Sequence, residues 1–401
     1  MKYAPILLLF CLAILSCRKE DTPQPCDLVQ AANIATPKWE VPFDQPGNEP
    51  LSLLHYAQWT PQGILAKRTN FTGPDTLMLL DPDSGQSVWH TSLFNTHEPG
   101  IRTIKLDQDN SLVWQDHLLI GYRSFLHVVD LASGMMVTHA LEQGDFDGFG
   151  QSPHPDRFWY STKDCPGSDI VYTIYESDIA MSSNRILKTD AYPVHTYSDS
   201  YFNIHGWNAP DGETYLFVRM VDSTAGDMSL IMLHPESNTE VWRKEKTGNR
   251  FFSMNATQVI QAEDYLFVHN PTTDQLTAYQ LPEGEERWSV PSTRIYGMAN
   301  EWIYAASPGF ARIHMATGMV APLPSHHHTN QFAGLDSGHT YFIRNGHCVS
   351  IRNTGGCADL TIEHPVAGEN GFWSTTFFHA DAERKRAYLT DLYSLYAYDL
   401  P

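Results

Sequence analysis

This chain of 401 residues is short of positive charge, of clustered cysteines and of long apolar runs. It carries 26 Lys and Arg against 46 Asp and Glu, a formal net charge of −20. A field of that sign repels phosphate backbones and anionic head groups, so nucleic acid is not expected as a partner. No two of the six cysteines are adjacent and none are spaced C-x-x-C, which removes the commonest thiol redox motif. G-x-S-x-G, the phosphate-binding P-loop and H-E-x-x-H are all missing, and with them the sequence marks of three large hydrolase classes. The single strongly apolar stretch, Ile6–Leu15, is too short to span a bilayer, which takes about 20 residues.

What is present is a repeat. Leu77–Trp89 reads LMLLDPDSGQSVW: an apolar run, an aspartate, a glycine four residues later, then a tryptophan. The stretch predicts one β-hairpin. Leu77–Leu80 is apolar on both faces, as in a strand sandwiched between two layers. Asp81 can accept hydrogen bonds from the N–H groups of its turn, and Gly85 supplies a positive φ. Trp89 is then a large flat packing element on the return strand.

The pattern returns at Asp130–Gly134, His234–Trp242, Gln280–Trp288 and His314–Gly318. A weaker copy spans Cys348–Cys357, with Arg352 in the aspartate's place, and the chain ends on a last copy at Asp399. Val171–Ser177 reads as a degenerate copy that lost its glycine. The mean spacing of about 45 residues suits four short antiparallel strands per unit. Aromatic and β-branched runs mark second strands at Glu213–Asp222, Tyr265–Asn270, Trp302–Ser307, His339–Asn345 and Lys385–Asp391. First, innermost strands are expected at Tyr201–Trp207, Arg250–Met254, Arg294–Ala299 and Phe372–Phe378.

The expected fold is therefore all-β: an eight-bladed β-propeller of four-stranded antiparallel blades, with the third blade degenerate. The last unit stops after its third strand, leaving an open edge of the kind proteins avoid. Pro37–Phe43, PKWEVPF, resembles a fourth strand with no partners before it, so this N-terminal strand is expected to complete the last blade.

The apolar–D–x–x–[ST]–G–x–x–x–W pattern resembles the repeat of the PQQ-like (quinoprotein-type) β-propellers. That superfamily includes quinoprotein dehydrogenases and the outer-membrane assembly lipoprotein BamB. The resemblance covers most of residues 37–401 and implies architecture rather than activity. The family's enzymes mark their site with adjacent cysteines and calcium ligands, which this sequence does not reproduce. The expectation is a non-catalytic protein with no cofactor and no metal. A PQQ- or metal-dependent oxidoreductase, or a glycan-binding surface lipoprotein, stand as alternatives.

Residues 1–16 read as a lipoprotein signal peptide, with Ile14-Leu15-Ser16-Cys17 resembling the bacterial lipobox and Cys17 as the site of lipid attachment. Acyl chains on Cys17 would hold the protein at a membrane, and residues 17–36 would form a lipidated tether. Arg18-Lys19-Glu20-Asp21 resembles the surface-export signal of Bacteroidota lipoproteins, and equally a solvated charged spacer. The location expected is the outer membrane, facing either the periplasm or the surface. The partner is an envelope protein or a small ligand, and the ring is expected to be monomeric.

Four cysteines remain after Cys11 and Cys17. Cys348 and Cys357 flank one hairpin, and a two-residue turn at Arg352–Asn353 would set them opposite each other for a disulfide. Arg102, Arg250 and Arg294 each stand near the start of an innermost strand and are candidates for an anion site at the channel mouth. Pairing with neighbouring acids explains them equally. His326-His327-His328 alternate sides if extended, so three seldom converge on one metal. Trp207, Trp302 and Trp373 are explained by packing.

Overall fold

The computed structural model describes residues 32–34, 37–43, 53–69, 74–94, 103–106, 110–152, 154–193, 203–210, 212–222, 227–235, 237, 239–246, 259–270, 273–299, 301–307, 309–322, 330–335, 339–344, 348–353, 358–363, 378–381, 383–390 and 394–399. Among them are 33 strands and no helix. The strands form five four-stranded sheets, one of five strands and one of eight. The eight-stranded sheet is two antiparallel meanders joined where Gly150 and Gln151 pair in parallel with Ile204 and His205. The five-stranded sheet is a meander to which Ala32–Ile34 adds in parallel, against Thr361–Glu363. Part of the expected tether is thus strand. We number the meanders as units in chain order, from unit one (Leu53–Thr60 through Ser87–Ser92) to unit eight (Phe378–Asp381 through Ser394–Asp399).

In the middle strands successive side chains serve two different interfaces, which is why the sequence runs are apolar throughout. Leu118 and Ile120 join Leu65, Leu77 and Leu79 of unit one, whereas Leu119 between them joins Phe158 and Tyr160 of unit three. Trp159 turns the other way, into a cluster with Leu216 and Ile231 of unit four. Phe267 likewise packs toward Ile303 of unit six, while Leu266 and Val268 pack toward Phe217 of unit four. The sheets of units one to five are therefore each the shared wall of two cores.

The last unit meets the first. Trp39–Pro42 pairs antiparallel with Ser394–Asp399, placing Trp39 opposite Ala397 and Val41 opposite Leu395. Tyr388, Leu395 and Ala397 of that sheet share a core with Ile64, Ala66 and Leu80 of unit one. The carbonyl of Pro82 is a meeting point for Trp39 Nε1 at 3.2 Å, Arg386 Nη1 at 3.1 Å and the Tyr388 hydroxyl at 3.2 Å. Arg386, nearly buried, also pairs with Asp83 and with Asp399.

The aspartate–glycine turns behave as their residues dictate. Asp81 Oδ1 accepts from the N–H of Asp83 and Ser84 and from the Ser84 hydroxyl, and Gly85 N donates to Asp81 O at 2.8 Å. Asp130 and Ser133 repeat the arrangement. The tryptophan, however, leaves its own hairpin. Trp89 Nε1 donates 2.7 Å to Leu131 O of unit two, and its ring covers Gly134 so closely that a Cβ there would lie 2.7 Å from it. Gly134 also has φ +72, so two independent demands select glycine. Trp39 covers Gly85 in unit one, Trp242 covers Gly284 in unit five, and Trp288 covers Gly318 in unit six. Each tryptophan locks onto the next unit in the series.

A β-bulge precedes three of these rings. Pairing slips between Leu79/Trp89 and Leu80/Ser87, between Met232/Trp242 and Leu233/Glu240, and between Ala278/Trp288 and Tyr279/Glu286. Val88, Val241 and Arg287 are the extra residues, each one place before its tryptophan. Bulges twist the strand and redirect the following side chain. Unit two, which has no tryptophan at this place, pairs without a slip.

Several expectations need correction. Unit three is complete, with strands Asp145–Gln151, Phe158–Asp164, Asp169–Ser177 and Asn184–Pro193. It lacks the glycine and the tryptophan: Ser182 stands in the glycine's place, Met181 just before it holds φ +53, and Asp178 caps the turn through Ser182 and Ser183. The first strand of unit five is Val259–Ala262, not Arg250–Met254, and that of unit two is Ser111–Trp114. That of unit eight begins only at Phe378. The turn expected at Arg352–Asn353 is strand instead: Cys348–Asn353 runs unbroken, and Cys348 lies in register with Arg344 and Glu363. The geometry drawn for a Cys348–Cys357 bridge is therefore not the one found; Cys357 itself lies outside the described residues.

Truncating Trp89 to Ala should cost about 3 kcal/mol, the lower end for a large aromatic, because the ring is half-buried. Gly134→Ala should cost about 1–3 kcal/mol through strain and the clash with the ring. Urea denaturation of the double variant should show less than the sum, since both changes remove one contact. The carboxyls of Asp81 and Asp130 are held below the ordinary range, chiefly by the hydroxyls of Ser84 and Ser133. Their contribution to stability is complete above the unfolded pKa of about 3.9 and is lost as pH falls through the lower folded value. Ser133→Ala should raise the Asp130 pKa toward its unfolded value in an NMR titration, lowering stability at neutral pH and weakening the loss of stability in acid.

Candidate functional site

Of the residues picked from the sequence, only some lie among the described residues. Arg294 opens the strand Arg294–Ala299, exposed and in register with Ala306. Arg102 and Arg250 lie outside the described residues, as do Cys17, His326–His328 and Trp373. The shared position expected for the three arginines therefore falls, for two of them, outside the described residues. Trp207 is a packing residue whose Nε1 donates 3.0 Å to Glu263 O. Trp302 is half-buried under the Arg312 guanidinium, 4.4 Å above the ring, with His314 edge-on at 5.1 Å. His269 is buried with Nε2 2.8 Å from Ser292 O. Among the described residues no three His, Cys, Asp or Glu are grouped to hold a metal, and no disulfide is formed; Cys165 is free and exposed.

A polar cleft of about 440 Å³ lies instead on unit three, the one that departs from the repeat. Its walls come from two turns at one end of the sheet. His154, Asp156 and Arg157 precede the strand Phe158–Asp164; Ser183, Asn184 and Arg185 follow the turn capped by Asp178. Glu176, near the end of Asp169–Ser177, forms the floor. This carboxylate is only 7% exposed, and both oxygens are held: Oε1 by Arg185 Nη2 at 3.0 Å and Oε2 by Trp159 Nε1 at 3.1 Å. Burying an acid in this way requires such a partner.

Arg157 is fixed differently. Its Nη1 donates to the hydroxyl and carbonyl of Ser183, and that hydroxyl also meets Asp178 Oδ2 at 2.9 Å. Asp156 lies 4.0 Å from Arg157 Nε but is 81% exposed, so water screens the pair. Unit two closes the side of the cleft: Gln115 donates to Pro155 O, and Asn184 Nδ2 donates 3.2 Å to Glu142. The cleft was hidden in the sequence because its residues span two turns. The lost glycine near Ser177 was the one available sign.

A second feature lies on the outer strands. The fourth strands of units one to four each expose an aliphatic side chain: Val88, Val137, Ile186 and Val241. Val88 and Val241 are the bulged residues that precede the locking tryptophans.

No family description matches the chain, and no curated protein does. Solved structures do. The C-terminal WD40 domain of Sif2 superposes with a TM-score of 0.54 at 8% identity, covering 88% of this chain and 98% of that one. The fold is a β-propeller. Dihydro-heme d1 dehydrogenase NirN, in complex with DHE, gives a TM-score of 0.56 at 11% identity over 88% of this chain and 73% of its own. BamB from Moraxella catarrhalis gives 0.48 at 13% identity, over 92% and 100%. At such identities the propeller likeness speaks for the fold alone.

Glu176→Gln should destabilise the propeller by about 1–2 kcal/mol, the pair being only partly shielded on the arginine side. Thermal unfolding followed by circular dichroism checks this. Arg185→Gln, which strands the buried carboxylate, should cost more than Glu176→Gln.

Proposed function

We propose that this chain is a lipid-anchored, non-catalytic scaffold of the bacterial envelope: an eight-bladed propeller of the PQQ-like type that binds another envelope protein along its rim. Four observations support the architecture. The chain folds into repeated four-strand meanders, neighbouring sheets share cores, both chain ends pair in one sheet, and that sheet packs on unit one. The lipobox-like Ile14–Cys17 supports the anchor, with the acyl chains on Cys17.

The observation that carries the binding role is the row of aliphatic side chains on four consecutive outer strands. Single exposed apolar residues are ordinary on any surface. Val88 at 56%, Val137 at 50%, Ile186 at 59% and Val241 at 44% exposure recur on the same strand of successive units, which is the pattern of an apolar rim offered to a partner. The aspartates that a reactive reading would seize on, Asp81, Asp130 and Asp178, are occupied in capping turns.

Two measurements test this. Cys17→Ala should move the protein from the membrane to the soluble fraction of lysed cells and remove the acylated N-terminal peptide from its mass spectrum. A photo-crosslinker at Val88 or Val241 should trap a discrete envelope protein in living cells, and Val88→Lys with Val241→Lys should abolish that adduct while circular dichroism stays unchanged. An adduct that survives both charges, or no membrane association of the wild type, would sink the reading.

A further inference from the structure

We propose that the cleft on unit three is a binding site for a small carboxylate that carries a hydrogen-bond donor nearby, of the hydroxy-acid or amino-acid class. The site borders the rim at Ile186, next to Arg185 of its lining, but does not depend on the scaffold role.

Charge sets the ligand's sign and size of charge. Two guanidiniums and two carboxylates line the cleft, but they are not equivalent. Glu176 and Arg185 close on each other at 3.0 Å and cancel locally. Asp156 is mostly in water and is weakly coupled to Arg157. That leaves one held cation facing the cavity. Arg157 uses Nη1 on Ser183, and its Nη2 carries no hydrogen bond among the described residues. A guanidinium edge of this kind matches a planar carboxylate through parallel N–H···O bonds. A dianion would set a second negative charge beside Glu176 and Asp156, so a single charge fits better than phosphate.

Chemistry on the opposite side sets the second requirement. Asn184 Oδ1 is buried without a hydrogen-bond partner, although its Nδ2 is held by Glu142. A buried acceptor left unmade costs stability that a ligand's O–H or N–H recovers. The His154 side chain, also in the lining and without a side-chain hydrogen bond among the described residues, can orient the far end of the ligand. The volume is within the range of small-molecule sites. The location adds weight: unit three replaced the economical Asp–Gly turn with one in which Met181 sits in the left-handed region, and departures of this sort from an otherwise consistent repeat concentrate where a protein has a task.

The test uses the whole protein and four probes: lactate, alanine, propionate and inorganic phosphate. The reporter is the indole N–H resonance of Trp159, bonded to the cleft's floor, assigned by its disappearance in Trp159→Phe. Lactate or alanine should shift it saturably, and propionate, which lacks the donor, should bind about tenfold more weakly. Arg157→Gln should reduce lactate affinity by about tenfold or more, and Arg157→Lys should restore part of it. Circular dichroism of each variant shows that the fold persists. Absence of a saturable shift with lactate and alanine would overturn the proposal. So would unchanged affinity in the folded Arg157→Gln variant, or phosphate binding more tightly than lactate.

Discussion

The contact on which the architecture depends is a tryptophan ring laid on a glycine of the neighbouring unit. It combines a large apolar area with one directed bond, from the indole N–H to a backbone carbonyl in the neighbour's turn. A left-handed glycine lies beneath every such ring, and a bulge precedes three of the four. Where unit three lacks the glycine, the innermost strands of units three and four pair directly. Units two and three meet through a shared apolar core that includes Leu119, Phe158 and Tyr160.

Most of the strands were legible because both faces of each middle strand are buried, so the apolar runs are dense and short. The caps of Asp81 and Asp130 were legible from residue type alone. The destination of Trp89 was not: nothing in a hairpin's own sequence says that its ring belongs to the next hairpin. The bulge at Val88 escaped for the same reason, since a valine is as good a strand residue as a bulged one. Unit three looked degenerate because a glycine was taken as obligatory, yet Met181 occupies the same backbone region and Asp178 supplies extra capping bonds. The first strand of unit five was misplaced because the aromatic run at Arg250–Met254 imitates a strand. The cleft was invisible beforehand, since His154–Arg157 and Ser183–Arg185 become neighbours only across the width of a sheet.

Electrostatics here are local despite the large negative total. Many carboxylates are spent on close neighbours, turn N–H groups or a nearby arginine, as with Glu176 and Arg185 or Asp381 and Arg384. Where the last unit meets the first, Asp83 and Asp399 converge on Arg386, a nearly buried cation with a backbone carbonyl as further acceptor. Such pairs fix registry more than they add stability.

Because Glu40 is bonded to Ser394 and Trp39 is seated on unit one, the opening and closing stretches of the polypeptide must wait for each other. During synthesis Trp39–Pro42 lacks its docking edge until Ser394–Asp399 has been made, more than 350 residues later. Contacts this distant along the chain form late and slowly. Without Ser394–Ala397 the strand Trp39–Pro42 loses its antiparallel partner, so removing either segment bares a sheet edge that invites pairing with another chain.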